Sequence, residues 1–456
     1  MGAVNHNSFK HGEKMDKVLV KNYVDLGTSG DRKTILECLN HVFATISPSS
    51  AVEKSSRKLA QDIEECRRVF VIGFGKASLA MYEGIREKVK AKLSYAGIIV
   101  PEDQEITEKF QELQILRGNH PRVSELSVKS SESIIGHLRN LGKDDLVLVL
   151  ISGGGSALFE IPEQGIDIQT LSSISDCMMK NGADIYELNR VRQIMSSVKG
   201  GKLAEILRPA KIRSMIISDV TGDDLSIIAS GPLVKTSGNE DVKKIIESYS
   251  KKCKELGILE KIMSNKNPDK HEIGDVENLL VLKNYDYVEG VKDFLLRNKE
   301  KVVTWELGVT GEVSDVAITL TEAVRSMYSL FNDSFWLVFG GETTVNVTGK
   351  GKGGRNQELA LRIMDNMEED EKFTFASIGT DGIDGYSDAM GGITDNILKS
   401  EISRSELLET LKNSDSNTLL SKYKSAIVTG RTGTNVSDIM IMHYSGKMGG
   451  SGIDHT

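Results

Sequence analysis

The strongest constraint on this chain is a recurring pattern of short apolar runs without a polar break, each cut off by glycine. Val69–Gly73 reads VFVIG and runs into Phe74-Gly75-Lys76-Ala77-Ser78. Leu146–Ile151 reads LVLVLI and runs into Ser152-Gly153-Gly154-Gly155-Ser156-Ala157. Side chains of a strand alternate between two faces, so a run that is apolar throughout must be covered on both. Ala96–Val100 and Ser214–Ile217 repeat the pattern. The stretches between them have helical spacing. Ser124–Leu141 carries Leu126, Ile134, Ile135, Leu138 and Leu141, and Ile185–Val198 carries Ile185, Leu188, Val191, Ile194 and Val198. Strands alternating with helices predict βαβ units on a parallel sheet.

At 456 residues the chain exceeds one ordinary core, which predicts two domains. The polar stretch Met263–Asp275 marks the boundary, giving a larger domain over 15–265 and a smaller one over 275–445. A second strand set follows at Leu279–Leu282, Lys301–Trp305, Phe335–Phe339 and Thr374–Ile378, with Ser425–Thr429 as the last strand. Gly340–Lys352 alternates polar and apolar residues and predicts an antiparallel element. The expected class is α/β: a Rossmann-like α/β/α domain, then a smaller α/β domain with a mixed sheet. The tail from Ser445 is glycine-rich and expected to fray.

Composition excludes several functions. A net charge of −8 with no basic stripe argues against nucleic acid. No run of 18 apolar residues predicts a membrane span, and Met1–Met15 has no apolar leader core. Cys38, Cys66, Cys177 and Cys253 form no close pair, so neither a zinc knuckle nor a disulfide framework is expected. That usage fits a reducing cytosol and a cytoplasmic location. The histidines are scattered and no GxSxG elbow occurs, so a Ser-His-Asp triad or a metal-histidine cluster lacks support. His120, in Gly118-Asn119-His120-Pro121, reads as a residue behind the site.

Six glycine-rich stretches can carry chemistry. Gly73–Ser78 opens a helix after a strand and sets Lys76 where an anion can bind. It is neither the dinucleotide fingerprint, because Ser78 takes the third glycine's place, nor a Walker A loop. Ser152, Gly153, Gly154, Gly155 and Ser156 form a turn suited to offering amides to phosphate. Asp219, Asp223 and Asp224 follow a strand, where such sheets bind ligands, and are candidates for Mg²⁺ ligands or for a base. Arg355 in Gly353-Gly354-Arg355-Asn356-Gln357-Glu358 opens a helix against its dipole, a defect that a bound anion corrects. Gly379–Gly385, with Asp381, and Thr429–Asn435 read equally as ligand loops or plain turns.

In order, the chain holds GFGKAS, GNHP, SGGGSAL, LNRVRQIMSSVKGGKLA, SDVTGDD…IASGP, GGETTV…GKGGRNQE, GTDGIDG and TGTNVSD. Together these resemble the glycerate kinases that carry a MOFRL-type C-terminal domain, from about Asn40 to Met442. The resemblance implies ATP-dependent phosphorylation of D-glycerate to 2-phosphoglycerate with Mg²⁺ or another divalent cation. It implies two α/β domains with the site between them. It carries catalytic roles onto Lys76, Asp219 and Arg355. After His120-Pro121 the chain departs from the family with Arg122-Val123-Ser124-Glu125, so no role transfers to that loop. The residues then suggest roles: the Ser152–Ser156 amides and Lys76 for ATP phosphates, Arg192, Arg355 and Asp381 for glycerate, and Asp219, Asp223 or Asp224 for the metal. Two rivals are an NAD(P)H-dependent hydroxypyruvate reductase and a non-catalytic sugar-acid or nucleotide sensor. The residues leave the oligomeric state open, a homo-oligomer included.

Overall fold

A computed structural model describes residues 19–106, 110–236, 240–264 and 273–447. The N-terminal leader reading, most of the polar stretch Met263–Asp275 and the end of the glycine-rich tail lie outside the described residues.

The first sheet holds β1 Arg68–Phe74, β2 Leu93–Pro101, β3 Gln114–Gly118, β4 Asp145–Ile151, β5 Lys211–Ile217 and β6 Val276–Leu282. Its order is β3-β2-β1-β4-β5-β6, and every pair is parallel. β4 is buried at every position and β1 at all but its first, as their unbroken apolar sequence requires. From β1 the chain works outward to β3, then returns to β4 on the other side of β1. The carboxyl ends of β1 and β4 therefore stand side by side with the following chain leading away from both, the place where such sheets open a crevice.

The second sheet is mixed. It holds β7 Val302–Glu312, β8 Phe335–Thr344, β9 Glu371–Gly379, β10 Gly391–Asp395, β11 Ala426–Ile427 and β12 Asp438–Lys447. Its order is β11-β10-β9-β12-β8-β7, with β7–β8 parallel and the other pairs antiparallel. One apolar cluster runs from Val71 and Leu148 in the first sheet through Leu36 and Val291 to Val338, Ile378 and Ile439 in the second. A satellite cluster fills the space among the helices Ile168–Lys180, Ile185–Met195, Glu240–Tyr249 and Gly257–Ser264.

The structure corrects four expectations. Leu279–Leu282 does not begin a second strand set; it lies in β6 and pairs with β5. Ser425–Thr429 is not the last strand, because β12 follows it and takes the centre of the mixed sheet. The alternating run Gly340–Lys352 leaves strand structure at Thr344; its first two glycines pair antiparallel with β12, and Thr343 and Thr344 pair parallel with β7. Finally, Cys177 and Cys253 form a disulfide across 76 residues, Cα–Cα 5.9 Å. Local spacing hides such a pair, which only the packing of the satellite helices brings together.

The helix Gly30–Thr45 is capped by Ser29 and belongs early in the chain, yet it packs on the second sheet. Its Arg32 is buried and donates from Nε to Asp395 Oδ2 at 2.6 Å and from Nη1 to Ser425 Oγ at 3.2 Å. Asp395 also caps the next helix through Leu398 N at 2.8 Å. Arg32→Met strands this carboxylate without a counter-charge, which should cost about 3–5 kcal/mol. Urea unfolding checks this, and a loss under about 1 kcal/mol contradicts it.

Candidate active site

The turns after β1 and β4 are laced to each other above the crevice. Lys76 N donates to Gly153 O at 2.9 Å, Ser152 N to Phe74 O at 3.2 Å, and Ala77 N to Ser152 Oγ at 3.0 Å. Gly75 sits at φ +127°, and a Cβ there would lie 2.2 Å from Ser152 Oγ. Only glycine fits both the backbone and the space. Among the described residues the amides of Gly153, Gly154 and Ser156 meet no protein acceptor, whereas that of Gly155 donates to Ser152 O. Three unsatisfied donors on one turn make an anion-binding concavity.

β5 delivers Asp219 to the same place. A Cβ on Gly153 would stand 2.3 Å from Asp219 Oδ2 and 2.5 Å from Asn435 Nδ2, so the glycine admits both groups. Asn435 Nδ2 donates to Asp219 Oδ2 at 3.1 Å, and Ser437 Oγ donates to the Asp219 carbonyl at 2.7 Å. The protein packed around Asp219 pushes its pKa up to about 6; Glu342 adds to the rise, and Lys76 opposes it. Lys76 Nζ bonds Asp381 Oδ2 at 3.0 Å, so a cation from the first sheet meets a carboxylate from the second. His120 packs beside Gly154, where a Cβ would meet its ring at 2.8 Å. Desolvation and the Lys76 cation push the imidazole down to about 4, and it stands neutral at pH 7.

Arg355 is brought close but is already engaged. Its Nε and Nη2 grip Asp438 at 2.6 and 2.9 Å, and Nη1 donates to Glu342 at 3.0 Å. Desolvation works against its charge, but the bonds to Asp438 prevail and its pKa is raised. Burial pushes Asp438 up to about 6 despite Arg355. The anion inferred at this helix start is one of the protein's own. Asp384, fully buried, accepts from Asn356 N at 3.1 Å and from Gln357 N at 2.9 Å. It caps the helix Arg355–Asn366, and Gly354 leaves room for it.

The remaining candidates lie apart. Arg192 is half-buried on the helix Ile185–Met195, with Glu160 and Asp176 as its charged neighbours. It makes no hydrogen bond or ion pair among the described residues. Its helix is tied to the glycine turn, since Ser230 Oγ donates to Asn189 Oδ1 at 2.6 Å and lies 3.0 Å from Ser156 Oγ. Beneath that turn the buried Lys199 donates to Ser156 O at 2.6 Å and pairs with Glu160. Asp224 is not gathered with Asp219: it is exposed and its Oδ1 accepts from Ser226 N at 2.8 Å. Asp223 adopts φ +55° and donates its amide to Val220 O. Among the described residues no three His, Cys, Asp or Glu side chains gather as metal ligands.

The structure thus brings Lys76, Asp381, Gly153 and Asp219 to one crevice, with Arg355 at its edge through Glu342. Asn435, Glu342, Asp438 and Lys199 had no assigned role in the sequence reading. All four stand in the ordered motifs, but two of them have partners far off in sequence: 216 residues separate Asn435 from Asp219 and 83 separate Asp438 from Arg355.

The chain is similar to known proteins over most of its length. Residues 34–257 match a domain of unknown function, DUF4147, and residues 335–438 match the MOFRL family. A protein of Picrophilus torridus named glycerate 2-kinase is 45% identical over 435 residues, covering 94% of this chain and 100% of its own. A glycerate 2-kinase of Pyrococcus horikoshii is 34% identical over 423 residues, covering 88% and 93%. The crystal structure of a glycerate kinase from Thermotoga maritima superposes with a TM-score of 0.81 at 30% identity, covering 90% of this chain and 99% of that one. This chain belongs to the glycerate 2-kinase family, with a DUF4147 region followed by a MOFRL region.

Proposed function

We propose that this chain transfers the terminal phosphoryl group of ATP to the 2-hydroxyl of D-glycerate, giving 2-phosphoglycerate and ADP. The observation that carries this reading is the convergence of Lys76, the open amides of Gly153 and Gly154, and Asp219 on one crevice. Phosphoryl transfer asks a protein for positioning and charge neutralisation more than for covalent chemistry.

The amides of the glycine turn hold the phosphate oxygens. Lys76 leaves Asp381 and faces the charge on the moving group. Asp219 accepts the proton of the attacking hydroxyl as the new P–O bond forms and the bond to the ADP oxygen breaks. An acid pushed up to about 6 is mostly ionised at neutral pH, yet basic enough to take that proton. Arg192, a cation without a bonded partner among the described residues, takes the glycerate carboxylate in a planar two-point contact. Arg355 holds Asp438 and Glu342 in place at the crevice edge and stands ready to exchange Glu342 for a phosphate oxygen. Asp381 covers Lys76 until ligand arrives.

Mg²⁺ commonly takes one or two carboxylates, with phosphate oxygens completing its shell, and Asp219 with neighbouring Glu342 suits that demand. Bound there, the ion supplies neutralisation of the polyphosphate. Groups from both sheets border the crevice, so its closing on two ligands keeps out water that otherwise takes the phosphoryl group. A hydroxypyruvate reductase has less support. Where a dinucleotide turn has its third glycine, Ser78 stands buried and donates its hydroxyl to Gly75 O at 2.9 Å.

Lys76→Ala should lower kcat/KM by about 10²–10³-fold and raise the KM for ATP, read as ADP release with Mg²⁺ and D-glycerate. Near-parental values for both reject the role. The product of the parent enzyme, identified by ³¹P NMR, should be 2-phosphoglycerate. Because Asp219 acts ionised, kcat/KM should fall about tenfold per pH unit as pH drops below about 6. Asp219→Asn should lose about 10²–10⁴-fold in kcat and with it that acid limb; a full limb in the variant points to another group. Arg192→Lys should raise the KM for D-glycerate about tenfold with the KM for ATP unmoved, and equal shifts in both rule out the carboxylate contact.

A further inference from the structure

The stretch after β2 and the turn Thr429–Thr434 have no task in the transfer just described, yet together they line one cavity. It measures about 540 Å³ and opens beside Lys76 and Asp381. Lys21 and Arg431 add two cations to its wall, and Asp103 and Glu105 add two carboxylates. The geometry points to this cavity as the seat of the donor's nucleoside end, with Glu105 accepting from a ribose hydroxyl and Lys21 holding the polyphosphate on its way to Lys76. The inference rests on the kinase reading and adds a binding site to it.

Three observations support the assignment. The first is size, which falls in the range of cavities that enclose small organic ligands and cofactors. The second is position. The cavity is bordered by Pro101 at the end of β2 and by Lys76 beyond β1, so it lies on the β2 side of the crevice, whereas Asp219 follows β5. In sheets of this strand order a carboxylate beyond β2 is placed to meet a ribose hydroxyl. A donor lying from the cavity across Lys76 reaches the open amides of Gly153 and Gly154 with its terminal phosphate, next to Asp219.

The third is which charges are free. Asp103 is taken by Arg431 at 2.5 Å, and Lys76 by Asp381. Glu105 and the Lys21 ammonium have no bonded partner among the described residues, although both border the cavity. Lys21 is not a loose surface group: its amide donates to Val428 O at 2.8 Å, and Gly430 at φ +76° leaves its ammonium the room that a Cβ, 2.8 Å away, would take. One free acceptor and one free cation in a single cavity match a ligand with hydroxyl groups at one point and phosphate at another.

The test uses the full chain, calorimetry with β,γ-imido-ATP, and turnover of ATP with D-glycerate. Glu105→Gln should weaken the imido nucleotide about tenfold. The 2′,3′-dideoxy form should bind the parent equally weakly and lose nothing more in the variant. Lys21→Ala should weaken β,γ-imido-ATP and inorganic tripolyphosphate by the same factor. Both side chains are exposed, so the variants should melt with the parent. Parental affinity in both variants, alongside normal turnover of the parent, overturns the cavity and leaves the kinase reading standing. Glu105-dependent binding with no ADP formed from ATP and D-glycerate overturns the kinase reading and leaves the cavity standing. A parent that binds no nucleotide overturns both.

Discussion

The crevice depends on the carboxyl ends of β1 and β4 being neighbours while the chain leaves them in opposite directions. Every other feature of the site uses the space this creates. Two glycine-rich turns can face each other there only by exchanging backbone bonds, as Lys76 N to Gly153 O and Ser152 N to Phe74 O do. Once laced, they have no room for side chains at Gly75 or Gly153. The lack of a side chain at Gly153 also lets Asp219 and Asn435 close in. The glycines are therefore fixed by contact distances, and flexibility is not their task. Substituting alanine at Gly153 places a carbon against Asp219 and Asn435 at once.

The second sheet completes the crevice by charge. Asp381 meets Lys76, Asn435 meets Asp219, and Glu342 raises the Asp219 pKa from its position beside Arg355. These contacts connect two sheets that also share one apolar core. The core sets the separation of the sheets, and the polar contacts set what the gap between them can hold. Ion pairs that span such a gap are partly exposed, so each contributes little to stability. In the proposed mechanism an entering anion takes the place of Asp381 or Glu342 without leaving a cation bare.

Strands buried on both faces were legible from the sequence because VFVIG and LVLVLI allow no exposed face. Sheet membership was not. Leu279–Leu282 looks the same in either sheet, and only the pairing of β6 with β5 decides between them. In the site, the gathering of Lys76, Gly153 and Asp219 was legible, because parallel sheets open a crevice at their strand ends, whereas Asp223 and Asp224 on the same kind of turn bond locally. The partners of Arg355 were not: a helix dipole facing an arginine demands negative charge without saying whose, and here Asp384 and Asp438 provide it from within the chain. The disulfide between Cys177 and Cys253 escaped for the same reason, being a contact across 76 residues with no local mark.

Charge around the crevice gives a reason for a divalent cation that does not depend on relatives. Five carboxylates, those of Asp219, Glu342, Asp381, Asp384 and Asp438, stand around Lys76 and Arg355, and the neutral His120 adds no positive charge. The raised pKa values of Asp219 and Asp438 register mainly their burial, and in each a neighbouring carboxylate adds to the rise. A polyphosphate entering this acidic setting alone adds like charge to like charge, and Lys76 and Arg355 are already bonded to carboxylates. Arriving with a divalent ion, it relieves the repulsion that it otherwise creates. In the proposed transfer the same ion favours the ionised form of Asp219, the form that accepts the proton.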